Sequence, residues 1–218
     1  MQYDSCPCCA KKIQPKGLFG SNALHTEFVG FINLFTGNSF PAYCDSCKVE
    51  PFYKACANYQ NELNENYALQ KNHINDVPCI NISSPYSWSY DILEIVTAQS
   101  TMGTGFISEL SLSWNDFFGL ESNTMNSKIS LGEDNCMKML RAKTIALGGN
   151  AVIGVDIDYA EVGALRGLIM VCATGTAVRV KNLEVFSQTA TESIKILVDS
   201  LERMKELNKY LKIANSVI

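Results

Sequence analysis

Apolar residues recur at helical period over two long stretches. Phe52, Cys56, Tyr59, Leu63 and Tyr67 follow one another at spacings of four and three, with Asn, Gln, Glu and Lys between them. That is one apolar stripe on a helix over about residues 52–74, docked on a neighbouring core. Asp76-Val77-Pro78 ends it, because the residue before a proline is pushed out of the α region. Near the carboxy terminus Ala190, Ile194, Leu197, Leu201, Met204, Asn208 and Leu211 repeat as a heptad seam. The seam predicts a helix over about residues 189–215 that needs a partner surface, from its own core or from the same helix of another subunit. Asn208 at a seam position would cost stability and fix register.

Between them the period changes to that of strands. Ile92 to Thr101 reads as a strand, Gly103-Thr104-Gly105 as a break and Trp114 to Leu120 as a short helix. Ser130 to Leu147 is a predicted helix, with Ser130 and Glu133 as a capping box and Gly148-Gly149-Asn150 as the stop. Ala151 to Tyr159 is a strand that places Ala151, Ile153, Val155, Ile157 and Tyr159 on one face and Asp156 and Asp158 on the other. After a turn at Glu161 to Arg166, Leu168 to Val180 is a strand apolar on both faces, expected to be buried on both. Strand, helix, strand, strand gives an α+β fold with a helix on an antiparallel sheet.

The first 53 residues hold only short strand-like or helical pieces between Leu24 and Phe35, a turn from Thr36 to Ser39, and two cysteine pairs. So short a segment has too small a core to fold without a staple. The expected division is 1–53 for this first domain, 54–79 for a connecting helix and linker, 80–181 for the sheet domain and 182–218 for the last helix.

The staple is legible. Cys6-Pro7-Cys8-Cys9 and Cys44-Asp45-Ser46-Cys47 each contain Cys-x-x-Cys. Two residues between thiolates let a tight turn aim both sulfurs at one ion, and two such turns complete a tetrahedron around Zn²⁺. Cys6, Cys9, Cys44 and Cys47 are therefore the expected metal ligands, with zinc as the cofactor. Cys8 could replace Cys6 or Cys9, or be a free thiol, and iron could occupy the same sulfurs. A four-sulfur site is closed, so it folds a domain and does no chemistry.

Composition narrows the class. Of 218 residues, 47% are apolar and 18% charged, few enough charges to fit a chain that buries surface against its own copies. A net charge of −4 gives no basic field for nucleic acid. Nine cysteines with no secretory leader fit a reducing compartment better than a disulfide framework, so a cytoplasmic location is expected. The uncharged run from Gly167 to Val178 is too short to cross a bilayer.

Other candidates weigh less. His25 and His73 fit a loop or core position and a helix end. Asp156, Asp158 and Glu161 could gather a cation, but a solvated or inter-subunit strand face is the simpler reading. Cys79, Cys136 and Cys172 lie in apolar or helical surroundings and read as small hydrophobes. Gly148-Gly149-Asn150 precedes a strand, whereas phosphate cradles precede a helix. Trp88 and Trp114 read as core or interface. Nothing pairs Ser with His or Cys with His, so no enzyme is expected.

The segment from Ile92 to Val180 resembles the YbjQ family, whose members are labelled heavy-metal-binding. The resemblance rests on Val96-Thr97-Ala98, Met102-Gly103-Thr104-Gly105 and Asp116-Phe117-Phe118-Gly119. It continues through Ala146 to Tyr159, reading Ala-Leu-Gly-Gly-Asn-Ala-Val-Ile-Gly-Val-Asp-Ile-Asp-Tyr, and ends with Ala173-Thr174-Gly175-Thr176-Ala177-Val178. The resemblance implies a small βαββ unit of dodecin-like type that assembles as a ring, typically a pentamer. The first cysteine pair is similar to a zinc-ribbon knuckle, Cys-Pro-x-Cys-Gly, with Ala10 in place of the glycine. Together these imply a non-enzymatic homo-oligomeric scaffold that displays the ribbon to a protein partner, with no nucleic-acid or membrane partner. The alternative is a metal-handling or thiol redox-sensing protein that uses Cys8.

Overall fold

The structure, a computed structural model, describes residues 5–12, 26–101, 125–162 and 168–216. His25, Trp114, the Gly103–Gly105 break, the expected helix from Trp114 to Leu120 and most of the turn from Glu161 to Arg166 lie outside the described residues. The chain divides into two compact units: Met1–Asn66 with Glu202–Ile218, here the cysteine unit, and Tyr67–Leu201, here the sheet unit.

The sheet unit is α+β. Strands β1 (Tyr90–Thr101), β2 (Ala151–Val162) and β3 (Leu168–Val180) form one antiparallel sheet in the order β1-β3-β2. Helix α3 (Met125–Ala146) connects β1 to β2. It lays Cys136 and Leu140 against Val96, Ala98, Val152, Val171, Ala173 and Ala177, all at 4% exposure or less. The end of α3 follows from its two glycines. Gly148 has φ +77, and the Gly149 and Gly148 N–H groups bond the Thr144 and Ile145 carbonyls at 2.8 and 2.9 Å. That is the bond pair of a left-handed helix stop. A side chain on Gly149 would meet Thr144 and the Val178 carbonyl within 3 Å. Asn150 then zips the turn to β3, donating to the Val180 carbonyl and accepting from the Val180 N–H.

Three expectations change here. Helix α3 starts at Met125, so Ser130 is inside it and is no cap; no glycine or proline between the two breaks the helix. Glu133, the expected partner in the box, instead accepts a hydrogen bond from the Tyr159 hydroxyl. The alternation assigned to β2 fails at a bulge. Gly154 and Val155 together oppose Gly175, so the register slips between Ile153 and Asp156. Val152, Val155 and Ile157 therefore face α3, while Ala151 and Ile153 pack on the opposite face with Val178 and Val180. Gly154 supplies the positive φ of +59. Gly175 supplies the room, because a Cβ there would lie 2.6 Å from Val152 Cγ1.

The third change concerns β3, which is not covered on both faces along its length. The face away from α3 is closed at one end by Ile80, Trp88, Tyr90, Val185 and Phe186, with the Trp88 and Phe186 rings edge to face at 5.2 Å. Farther along, Thr174 is exposed, and so are Ile92 and Ile95 of β1, at 71% and 72%. One edge of the sheet is partly sheltered: residues 78–82 exchange backbone hydrogen bonds with Val152, Gly154 and Val155.

Helix α2 (Val49–His73) and helix α4 (Gln188–Asn208) contribute to both units. Phe52, Tyr59 and Leu63 of the predicted stripe are buried, as are Ala190, Ile194, Leu197 and Met204 of the seam. The seam ends differently from the heptad reading. Leu207 is buried at 1%, Asn208 is exposed, and Leu211 belongs to a separate short helix, α5 (Leu211–Ala214). The step to Leu207 keeps helical period with a carbon side chain, so Asn208 never enters the seam and fixes no register.

In the cysteine unit, the stretch that could be strand or helix is helix α1 (Thr26–Thr36). Its Phe31, fully buried, is ringed by Phe35, Phe52, Tyr59 and Tyr210 with centroids 5.0 to 6.0 Å away. Such aromatic pairs add roughly 0.5–1.5 kcal/mol each beyond the area they bury. Glu62 and Arg203 form an ion pair, and the Cys56 thiol meets the Ala214 carbonyl.

Candidate metal centre

Two knuckles build the site. In the first, Ser5 and Lys12 face each other as an antiparallel bridge, the Cys6 N–H bonds the Lys11 carbonyl at 2.7 Å and the Ala10 N–H bonds the Cys6 carbonyl at 2.8 Å. Residues 7–9 are the turn between them. Ala10 has φ +59, the left-handed conformation that glycine takes without cost. The glycine of the ribbon pattern is thus replaced in sequence and retained in backbone shape, at about 1–2 kcal/mol for the alanine. In the second, residues 45–47 turn, the Lys48 N–H bonds the Cys44 carbonyl at 3.0 Å, and α2 begins at once at Val49. Lys48 also pairs with Asp45 across the turn at 2.8 Å.

The knuckles bring Cys6, Cys9, Cys44 and Cys47 together, with all four sulfurs within 4.8 Å of one another. The Cys9 and Cys44 sulfurs are 3.7 Å apart. Zn–S bonds of about 2.3 Å in a tetrahedron set neighbouring sulfurs about 3.8 Å apart. The donor set therefore fits a soft or borderline cation by spacing and by chemistry. Cys6 and Cys44 are buried at 2% and 3% exposure, Cys47 is half-buried, and Cys8 and Cys9 are exposed.

The electrostatics of the bare sulfurs fit the same ion. Burial pushes the Cys6 thiol up, but backbone N–H groups of Cys9, Cys8 and Cys44 and the Cys9 thiol outweigh it, leaving it lowered to about 7. Cys47 is pushed far up, first by its hydrogen bond to Cys9, then by burial and by the thiols of Cys44 and Cys8. Four crowded sulfurs cannot all ionise together unless a cation neutralises them.

Sequence reasoning missed the frame behind the second knuckle. Tyr43, fully buried next to Cys44, donates from its hydroxyl to Asn33 Oδ1 at 2.8 Å and accepts from Asn38 Nδ2 at 3.1 Å. Asn33 in turn donates to the Phe40 carbonyl. This ties the knuckle to the end of α1. No spacing rule marks Asn33, Asn38 and Tyr43, which stand five residues apart ahead of Cys44.

The other candidates stay apart. Among the described residues, the four cysteines are the group of His, Cys, Asp or Glu that gathers closely enough for a metal; Asp156, Asp158 and Glu161 do not. His73 bonds the Ser193 hydroxyl, which donates to Asp76, a chain that fastens the end of α2. Cys79 and Cys136 are pushed up to about 11, chiefly by burial. Cys136 is a fully buried core residue, and Trp88 packs on the sheet. Among the described residues, no helix is long and apolar enough to cross a membrane.

The molecule is thus an α+β protein whose cysteine unit gathers four sulfurs at a spacing that could hold a metal ion. A family model described as "Putative heavy-metal-binding" matches residues 87–181. A UPF0145 protein of Clostridium botulinum (strain Eklund 17B / Type B) is 39% identical over 84 residues, which are 38% of this chain and 79% of that protein. A UPF0145 protein of Pseudomonas entomophila is 34% identical over 91 residues, 42% of this chain and 86% of that protein. The chain belongs to the YbjQ family. A solved structure of a protein of unknown function from Pediococcus pentosaceus is 15% identical, covers 47% of this chain and 96% of its own, and has a TM-score of 0.31. The matched residues contain none of the four clustered cysteines. The family description and the cysteine cluster each support a metal-related role, from different parts of the chain.

Proposed function

We propose that this protein is a non-enzymatic oligomeric scaffold whose cysteine unit is held by one zinc ion and offered to a protein partner. The observation that carries the reading is the mutual approach of four sulfurs within 4.8 Å. A tetrathiolate site has no open coordination position, so it supports folding and not turnover. Assembly is supported by the sheet face that leaves Ile92 and Ile95 of one strand at 71% and 72% exposure, apolar surface that a neighbouring copy could cover. A five-membered ring, as the family resemblance implies, would present the cysteine unit in several copies and strengthen a weak contact by avidity.

Metal analysis of the purified chain tests the first half, with one zinc per chain expected. A chain that is fully folded in its cysteine unit without metal would sink it, and iron in place of zinc would replace the cofactor. Mass in solution tests the second half: a multiple of 24.1 kDa is expected, and a monomer at micromolar concentration refutes it. A metal-handling role is the second reading, favoured by the exposed Cys8 thiol beside Cys9 in the turn of the first knuckle.

A further inference from the structure

We propose that Tyr43 is a positioning residue of the metal centre: its buried hydroxyl, held between Asn33 and Asn38, fixes where the Cys44 sulfur stands and so sets how tightly the ion is bound. The inference rests on the reading that the four clustered cysteines hold a metal.

Burial alone does not call for a hydroxyl here. Tyr43 is fully buried, and its ring packs edge to face on Phe40 at 5.7 Å. Phenylalanine would fill that space without a polar atom, and a hydroxyl taken out of water weakens a fold unless it is hydrogen-bonded. Both bonds are supplied. The hydroxyl donates to Asn33 Oδ1 at 2.8 Å and accepts from Asn38 Nδ2 at 3.1 Å. Asn33 Nδ2 is committed to the Phe40 carbonyl at 2.7 Å, so its oxygen is the atom turned to Tyr43.

The two asparagines are themselves fixed. Asn33 lies in the last turn of α1, and Asn38 follows the glycine that stops it: Gly37 has φ +72, and its N–H bonds the Asn33 carbonyl at 3.0 Å. Thr36 Oγ1 donates to the Ile32 carbonyl at 2.7 Å and accepts from the Asn38 N–H at 3.4 Å. Asn58 of α2 donates to the Phe35 carbonyl at 2.7 Å, which ties the same end of α1 to the helix that follows the second knuckle. The Tyr43 hydroxyl is thus anchored to a braced helix end.

The consequence falls on the next residue. Cys44 follows Tyr43 directly, is 3% exposed, and stands with its sulfur 3.7 Å from that of Cys9. A metal centre needs its ligands held within about 0.5 Å of their working positions. Without the two hydroxyl bonds the ring stays buried but is free to slide, and Cys44 moves with it.

The full chain, loaded with zinc or cobalt, provides the test. Wild type should hold one zinc. Tyr43→Phe should also hold one, but with an affinity about tenfold lower in competition with a chelator, the lower end of the loss expected when a partner behind a metal ligand is removed. Its cobalt-loaded form should show shifted d–d absorption, the signature of a distorted tetrahedron. Asn38→Ala removes one of the two bonds and should move both readouts the same way by less. Phe35→Leu serves as the packing comparison: it should lower the melting temperature of the cysteine unit and leave the cobalt spectrum unchanged. The proposal is overturned if Tyr43→Phe binds zinc with wild-type affinity, or if it loses stability while keeping the wild-type cobalt spectrum, as Phe35→Leu should. If Tyr43→Phe does not fold, Asn38→Ala decides, and wild-type affinity and spectrum there overturn the proposal. A wild-type chain that binds neither zinc nor cobalt would instead remove the metal centre itself, which the first measurement reveals separately.

Discussion

In the sheet unit, Leu140, Val152, Val171 and Ala173 are fully buried, and α3 and the strands close on one another through a largely apolar core. In the cysteine unit, the aromatic ring around Phe31 holds α1 and α2, but the two knuckles approach through their sulfurs, and Tyr43 ties the second of them to α1. The two units thus differ in what completes them. One needs the chain's own side chains to interdigitate. The other needs something that neutralises four thiols at a point. The contrast teaches why the family match can be confined to the sheet unit: that unit's core draws on none of the four clustered cysteines.

The comparison can be broken most forcefully by removing the ion. Chelation, or Cys44→Ser, should unfold the knuckles while leaving the sheet unit intact; apparent binding energies for structural zinc reach about 10–16 kcal/mol. Hydrogen exchange resolved by segment should show protection lost before residue 48 and kept in β3. Equal loss in both units would mean that they are not independent. Next in size, Leu140→Ala should cost the sheet unit about 2–5 kcal/mol through the cavity it leaves, and zinc content should not change. A metal-poor but otherwise stable protein would contradict this. Asn150→Ala removes both bonds to Val180 and should cost about 1–3 kcal/mol, read as a lower denaturant midpoint with unchanged helix content in the cysteine unit.

The smallest effect has opposite signs in the two units. Cys6 in the metal-free fold is lowered to about 7 from 9.0, so its contribution is present at pH 9 and is lost as pH falls through about 7. Cys79 and Cys136 are raised to about 11 from 9.0, so their contribution is complete below pH 9 and is lost as pH rises through about 11. Melting followed separately in the two units, without metal, should show the cysteine unit weakening on acidification from pH 9 to 6 and the sheet unit on alkalinisation from pH 9 to 11. Parallel pH profiles would refute the contrast.

Much of this was readable from local pattern. The Phe52–Leu63 stripe, the Gly148-Gly149 stop and the turn within each Cys-x-x-Cys pair are each set by a few residues close in sequence, and the structure draws the two cysteine pairs together. What local pattern could not supply depends on partners distant in the chain. The slip in β2 requires Gly175 to lie opposite Gly154 and Val155. The open face of β3 depends on how far Trp88 and Phe186 reach. The switch from Asn208 to Leu207 follows from which side of the last turn of α4 the core covers. Ser130 had a plausible cap sequence that the longer helix overrode. The role of Tyr43 was invisible because its partners, Asn33 and Asn38, are ordinary turn and helix residues until the fold aims them at one hydroxyl.

The slip at Gly154 also sets how β2 tolerates a change in length. Gly154 is the surplus residue against β3, so its deletion would leave Ile153 opposite Thr176, bring Val155 opposite Gly175 and keep Asp156 opposite Thr174. Every side chain on both flanks would retain its face, for the loss of the bond from Gly154 to Ile82. Deleting Asp156 or Ile157 would instead reverse the phase of the strand beyond the cut. In β2, then, the residue most demanding in conformation is the one whose removal the alternation can best absorb.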